Sequence, residues 1–454
     1  MTQFDAIVIG AGQAGPSLAR RLAGAGSRVA IVERAQFGGT CVNTGCTPTK
    51  AMVASAYAAH LARRATEYGV TIGGSVTVDM RQVKTRKDAI VAASRNGVEA
   101  SLRQTEGITV VQGHARFVSN CGITVGERTL EAPRIFINAG GRPAVPAIPG
   151  LDTVPYLTSS TILNLDMVPD HLVVIGGSYV ALEFAQIYRR FGSAVTIIEM
   201  APRLIGREDP EISDAVRQIL EAEGIQIRLS TKTMRVAPGI RVSIEDTTGA
   251  GTIEASHLLL AAGRRPNTDD LGLDRAGVDV DPRGYIKVDD GLQTNVPGIW
   301  AVGECNGHGA FTHTAYNDFE IVAENLLAGG SRSVRDRIMA YALFVDPPLG
   351  RAGMTEHEAV AAGHRILVGS LPMTRVSRAY EKGETQGLMK LIVDGDTKAI
   401  LGAAILGVGG DEVVHSILDL IYAKAPYTIL QQVVHIHPTV AEFTPILAAS
   451  LKAP

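Results

Sequence analysis

Apolar residues fall along this chain in short blocks, each closed by glycine or by a charge. The first block, residues 4–9 (FDAIVI), has the length of a buried parallel strand. It runs into Gly10-Ala11-Gly12-Gln13-Ala14-Gly15. An Ala/Leu/Arg segment then predicts a helix through about Ala23, and Val29 to Val32 predicts a second strand that stops at Glu33. Strand, glycine turn, helix, strand and acidic residue, in that order, hold a dinucleotide. Gly10, Gly12 and Gly15 let the backbone turn tightly and approach a pyrophosphate. That anion sits on the helix N-terminus, where free N–H groups and the dipole favour it. Glu33 is then placed to accept hydrogen bonds from ribose hydroxyls.

The pattern recurs. Residues 172–175 (LVVI) lead into Gly176-Gly177-Ser178-Tyr179-Val180-Ala181, a helix, and Val195 to Ile198 ending at Glu199. Gly10 to Glu33 spans 23 positions, and so does Gly176 to Glu199. One such turn is a weak signal, since many are only tight turns. Two, each in full strand–helix–strand context and equally spaced, predict two dinucleotide sites. The second copy departs from the first: Ser178 replaces the middle glycine, holding a pyrophosphate slightly further away, and Ala181 replaces the last. Pro143 to Pro149 (PAVPAIP) reads as a linker crossing into the second unit, and Leu258 to Asn267 (LLLAAGRRPN) as the return. Residues 299–304 (IWAVGE) read as a further buried strand ending in a turn. Beyond about residue 336, alternating apolar runs at 388–393 and 400–406, with helices after them, predict a separate α+β domain.

Composition narrows the class. A chain of 454 residues with 46% hydrophobic and 20% charged residues can bury two or three cores and is not disordered. Its 49 glycines follow no period, which excludes collagen and fits many strand-to-helix turns. With 43 basic against 46 acidic residues, net −3, there is no electrostatic footprint for nucleic acid or an anionic membrane. No apolar run reaches membrane-spanning length, and MTQFDAIVIG lacks a signal-peptide pattern, so a cytoplasmic protein is expected. Only four cysteines occur, two of them close together at Cys41 and Cys46, which suggests chemistry rather than a stapled scaffold.

Those two lie in Gly38-Gly39-Thr40-Cys41-Val42-Asn43-Thr44-Gly45-Cys46-Thr47-Pro48-Thr49-Lys50. If they open a helix, its first turns bring them to one side and its N-terminus favours the thiolate. The alternatives are two small core residues, or half of a zinc site that would need two further ligands. Cys121 and Cys305 are isolated, so no metal is expected.

GGTCVNTGCTPTK resembles the redox-active disulfide motif of class I pyridine nucleotide–disulfide oxidoreductases, which include glutathione reductases, dihydrolipoamide dehydrogenases and mercuric reductases. The resemblance covers essentially the whole chain. It implies an α/β fold with two Rossmann-like domains, for FAD and NAD(P), and a C-terminal α+β dimerisation domain. The segments are then 1–148 and 267–335 for FAD, 149–266 for NAD(P) and 336–454 for dimerisation. By this resemblance Cys41 is the interchange thiol and Cys46 the thiol beside the flavin, able to form a charge-transfer complex with it. Lys50 matches the lysine near flavin N5, Glu183 its carboxylate partner, and Tyr179 the tyrosine covering the nicotinamide pocket. AGRRPN at 262–267 resembles the family's strand returning from the NAD domain. Ala301-Val302-Gly303-Glu304-Cys305 resembles the second flavin motif, with Glu304 where aspartate usually contacts the ribityl chain. One extra methylene leaves that carboxylate available. Cys305 beside it reads as packing rather than a third redox thiol. The cofactor-binding set is therefore Gly10, Gly12, Gly15, Glu33, Thr40, Gly140, Gly303, Glu304, Gly176, Tyr179, Glu199 and Gly263.

Near the C-terminus, His437 and Glu442 lie five positions apart around Pro438, and the carboxylate can orient the imidazole. On residues alone a surface pair with no role is the favoured reading. The segment resembles the family's HPTxxE motif, which implies a general acid/base dyad reaching the disulfide of the opposite subunit, and so a homodimer; His435 reads as structural. The resemblance leads to NAD(P)H reduction of a small disulfide, or oxidation of a dithiol. A mercuric-reductase-like metal reductase is the alternative, suggested by GQAGPSLA, GGTCVNTGCTPTK and AFTHTAYNDFE. The chain ending AASLKAP, without a terminal cysteine pair, speaks against it. A flavoprotein subunit of a multienzyme complex is a third reading. Arg20 matches a position where glutathione reductases place an arginine for a substrate carboxylate. Glu199 favours NADH over NADPH, because a 2′-phosphate there meets like charge, with Arg203 the nearest downstream cation.

Overall fold

Among the described residues, 2–454, the computed structural model has three five-stranded sheets. The first is parallel, in the spatial order Ile299–Ala301, Ile135–Ile137, Ala6–Ile9, Val29–Glu33, Ile108–Gln112. Ala6–Ile9 and Val29–Glu33 are buried along their whole length, as unbroken apolar runs in a sheet covered on both faces must be. Helix Ala14–Gly24 packs onto this sheet through Ala14, Leu18 and Leu22. Burying each leucine contributes about 1.5–3 kcal/mol.

The second sheet is also parallel, ordered Leu157–Thr158, His257–Leu260, His171–Ile175, Ala194–Ile198, Gln226–Arg228. Helix Tyr179–Phe191 covers it and is itself enclosed on every side, with ten of its residues buried and only Tyr179, Val180 and Arg189 reaching solvent. An antiparallel hairpin and third strand (Lys232–Ala237, Arg241–Asp246, Gly249–Glu254) are inserted before the sheet is completed. The third sheet is antiparallel: Ala340–Leu343, Leu349–Gly353, Ile400–Leu406, Leu388–Asp394, Ile366–Pro372. The α/β reading with two Rossmann-like units and a C-terminal α+β unit holds.

The two crossings between the parallel sheets touch. Gly141–Pro143 pairs antiparallel with Arg264–Pro266, so the chain leaves and returns through one hydrogen-bonded ribbon. Some boundaries differ from the sequence expectation. The strand read at 299–304 stops at Ala301, because Gly303 takes φ +76° and Glu304–Asn306 forms a 3-10 turn. The helix expected to end near Ala23 ends at Gly24, and the strand read from 172 starts at His171.

Candidate active site

The two glycine turns are built alike. Gly10 sits at φ +104°, and a Cβ there would stand 2.3 Å from the Asn138 carbonyl oxygen. Gly176 sits at φ +116°, and its Cβ would stand 2.5 Å from the Ala261 carbonyl oxygen. In each unit the first turn passes against the neighbouring strand with no room for a side chain. Gln13, which opens helix Ala14–Gly24, makes no side-chain cap. The Asn138 amide, with its oxygen turned toward the loop, accepts from Gly15 N at 2.9 Å and Gly12 N at 3.3 Å and so fixes the glycine turn at the helix N-terminus. The Glu33 carboxylate, 7% exposed, accepts from Ala11 N at 2.8 Å and Ala35 N at 2.7 Å. Each oxygen keeps a lone pair for a ribose hydroxyl. Glu199 repeats the turn, accepting from Ala201 N at 2.7 Å. Ser178 is extended (φ −109°, ψ −177°) and makes no cap of its own.

A cavity of about 1000 Å³ is lined at once by Gly10 and Gly12, Glu33, both motif cysteines and Tyr179. Thr40, Gly140, Gly303 and Glu304 also line it, whereas Gly176, Glu199 and Gly263 lie outside its lining. Cys41 lies in the short helix Gly39–Thr44, and Cys46 opens the helix Cys46–Arg63. Gly45 joins them, and a Cβ there would stand 2.8 Å from the Thr40 carbonyl oxygen. The pair therefore spans two helices rather than opening one. Both are free thiols.

Their environments push them apart. The Cys41 thiol, sharing its proton toward Cys46, brings Cys46 down to about 6; the Thr312 hydroxyl, 3.3 Å away, and the Lys50 charge act in the same direction, against burial. Cys41 is pushed up, first by that same interaction with Cys46 and then by burial. The shared proton thus leans toward Cys41 and the negative charge toward Cys46. Lys50, one helical turn beyond Cys46, donates to Glu183 at 2.7 and 2.9 Å and lies 4.3 Å from the centre of the Phe344 ring. Glu183 also accepts from Phe344 N at 3.0 Å. Tyr179 meets the rings of Phe311 and Tyr341 edge-on, and burial raises its phenol to about 12.

Glu304 departs from expectation. Its carboxylate is not left free: Arg264 of the return crossing donates to it at 2.5 and 2.8 Å. The extra methylene carries the carboxylate to that guanidinium. Asp318, which sequence reasoning did not single out, supports the same turn by accepting from Gly303 N at 2.7 Å and Asn306 Nδ2 at 2.8 Å. It is 1% exposed and ion-paired with Arg337, and no local pattern marks it. Cys305 is fully buried, with burial raising it to about 12, and its one S–H is shared between the carbonyls of Ile137 and Val302, each 3.4 Å away, as in a packing thiol. Arg20 donates to Ser101 at 3.2 Å and is not part of the cavity lining. His437 Nδ1 and Glu442 Oε2 are 2.9 Å apart, with the His437 side chain 75% exposed, and neither lines the cavity holding the cysteines. Among the described residues no group of three or more His, Cys, Asp or Glu is arranged to hold a metal ion.

Two family models match the sequence: pyridine nucleotide-disulphide oxidoreductase over residues 4–318, and the dimerisation domain of the same family over 339–447. The chain belongs to the pyridine nucleotide-disulphide oxidoreductases. It is 37% identical to the Escherichia coli (strain K12) protein named "Probable pyridine nucleotide-disulfide oxidoreductase RclA", over 97% of this chain and 98% of that one. It is 35% identical to a mercuric reductase of Streptomyces lividans, over 97% and 94%. A solved structure, the Cu(II) complex of the HOCl-induced flavoprotein disulfide reductase RclA from Escherichia coli, superposes with TM-score 0.90 at 35% identity, covering 99% of both chains. As a member of this family the chain is a flavoprotein oxidoreductase using FAD and NAD(P)H, and its dimerisation domain supports a homodimer. The glycine turn closed to any side chain, set at a helix N-terminus, and the buried Glu33 fit the flavin nucleotide's diphosphate and ribose. Among the described residues, no helix is long and apolar enough to cross a membrane.

Proposed function

We propose that the chain is an NADH-preferring disulfide reductase that acts on a small disulfide through Cys41 and Cys46. The observation that carries this reading is the opposed tuning of the two thiols beside the Lys50–Glu183 pair. Bound FAD supplies the two-electron relay between the pyridine nucleotide and the thiol pair. Lys50 keeps a positive charge near the Cys46 sulfur, and Glu183 fixes that lysine with two hydrogen bonds. Thr312 donates to the Cys46 thiolate.

The substrate step runs on the chain's own groups. His437, its ring oriented by Glu442, takes the Cys41 proton. The Cys41 thiolate attacks one sulfur of the substrate disulfide, forming a mixed disulfide, and the departing thiolate takes the proton back from His437. The Cys46 thiolate then attacks the Cys41 sulfur, which closes the Cys41–Cys46 disulfide. The second substrate thiolate is released and protonated by solvent. The exposed dyad, remote from the cavity of its own chain, supports service to the cysteines of a second subunit.

A second reading is supported by the mercuric reductase relative and by the Cu(II) complex of RclA: reduction of a soft metal ion at the same two thiols. The experiment is steady-state oxidation of NADH and NADPH against lipoamide, glutathione disulfide, other low-molecular-weight disulfides, Hg²⁺ and Cu²⁺. Turnover with a disulfide that is lost in Cys41→Ser supports the first reading. Turnover with metal ions alone replaces it with the second.

A further inference from the structure

The wall behind Tyr179 is anchored by a buried charge cluster that joins two domains. Tyr341, on strand Ala340–Leu343 of the third sheet, lies edge-on to Tyr179 with ring centres 5.3 Å apart, and stacks on Phe311 at 5.6 Å. Its hydroxyl donates to Glu208 at 2.6 Å. Glu208 precedes helix Pro210–Ala222 of the second parallel unit, and its other oxygen accepts from Arg351 of the third sheet at 2.5 and 3.0 Å. Arg351 also donates to Asp209 at 2.8 Å, and Lys390 pairs with Asp209, Glu211 and Glu356. The Arg351, Glu208, Asp209 and Lys390 side chains are at most 2% exposed.

Buried charge is retained only where it is matched, and a matched buried cluster is stiff. Its stiffness passes to one exposed-side group, the Tyr341 hydroxyl, because Glu208 holds one end of that ring while the other face packs on Phe311. Phe311, Tyr341 and Arg351 all line the cavity with Tyr179. Tyr341 therefore fixes the surface against which Tyr179 rests, and the cluster fixes Tyr341.

We infer that Tyr341, held by Glu208 and Arg351, is a positioning residue that sets the resting rotamer of Tyr179 and so controls access of the nicotinamide ring to the flavin. The inference rests on the reading of Tyr179 as the cover of that pocket. Tyr341 spends its hydroxyl on Glu208 and its ring on Tyr179 and Phe311, not on the thiols or the dyad, so its effect falls on the reductive half of the cycle. With the Glu208 bond lost, Tyr341 swings, Tyr179 closes less completely, and dioxygen and water gain the flavin face between turnovers.

The test is Tyr341→Phe, which keeps the stacking and removes one hydroxyl, compared with Tyr179→Ala and with Tyr341→Phe/Tyr179→Ala, all as flavin-loaded dimers. Expected for Tyr341→Phe is a change in NADH KM of roughly three- to tenfold, with a rise in disulfide-free NADH oxidase rate, an unchanged KM for the disulfide, and a melting temperature lowered by a few degrees because one buried Glu208 oxygen loses its donor. The double variant should match Tyr179→Ala alone, because a residue acting through another adds nothing once that other is gone. Effects that multiply in the double variant overturn the inference, as does a silent Tyr341→Phe beside an altered Tyr179→Ala. A silent Tyr179→Ala overturns the cover reading itself, and the inference with it.

Discussion

Cys46 is held low by three neighbours, and each makes a separable contribution. The Cys41 thiol is the largest, so the choice of replacement at position 41 matters. Cys41→Ser keeps an O–H donor toward Cys46, whereas Cys41→Ala removes it. Both variants prevent the disulfide and should show the long-wavelength absorbance of a thiolate against oxidised flavin without added reductant; Cys46→Ser should lack it. Because the Cys46 pKa is lowered to about 6, the thiolate is present above that pH and lost below it. The band in Cys41→Ser should therefore fade as pH falls through about 6. In Cys41→Ala the midpoint should lie about 1–2 pH units higher, the value of one hydrogen bond to a charged acceptor. A spectral titration checks both, and equal midpoints would show that the 41 side chain does not tune Cys46. Glu199 makes the second residue-scale prediction. NADH should exceed NADPH in kcat/KM by roughly 30- to 150-fold, from one like-charge contact and one lost hydrogen bond, about 2–3 kcal/mol. Glu199→Arg should erase that ratio, and an unchanged ratio would remove Glu199 from ribose recognition. The two cysteines were legible as a pair because one short motif names both. Arg264–Glu304 and Arg351–Glu208 were not, since their partners stand 40 and 143 positions apart with no pattern connecting them.

At the scale of elements, the equality of the two strand–turn–helix units, visible as a 23-position repeat, extends to the carbonyl each first glycine faces. That symmetry separates the two cofactors experimentally. Gly10→Ala places a methyl 2.3 Å from Asn138 O, and Gly176→Ala places one 2.5 Å from Ala261 O, both at positive φ. The backbone must yield, at about 1–3 kcal/mol. Gly10→Ala should be isolated with depleted flavin, read as the ratio of protein to flavin absorbance. Gly176→Ala should stay yellow while its NADH KM rises roughly tenfold. Flavin loss in both alike would mean that the second turn supports folding rather than the nucleotide. Parallel strands were legible because unbroken apolar runs such as Ala6–Ile9 are long enough to read. The three-residue ribbon of Gly141–Pro143 with Arg264–Pro266 was not, being shorter than any period. Nor was the order of the third sheet, in which the first strand pairs with the second and the second with the last. That order is set by long-range register, which local alternation does not encode.

At the scale of the molecule, the dyad and the thiols are complete but apart. His437 is bonded to Glu442 and largely exposed, and beside it stand Val434, 99% exposed, and Ile436, 79% exposed. Large apolar side chains left this open, next to a formed acid/base pair, mark a face that another surface covers. The match of residues 339–447 to a dimerisation domain supplies that surface as a second copy of the chain. On the proposed mechanism a two-fold dimer presents each dyad to the opposite cavity, with the same contact made twice. Complementation tests this without any structure of the dimer. Cys41→Ser and His437→Ala homodimers should each be nearly inactive with a disulfide. After subunit exchange, a mixed dimer has one site lacking both groups and one with both intact. An equal mixture should therefore recover roughly a quarter of the wild-type rate, since about half the dimers are mixed and half their sites are whole. If thiols and dyad met within one chain, every site in the mixture would lack one group. Exchange, verified by native mass spectrometry, would then restore nothing.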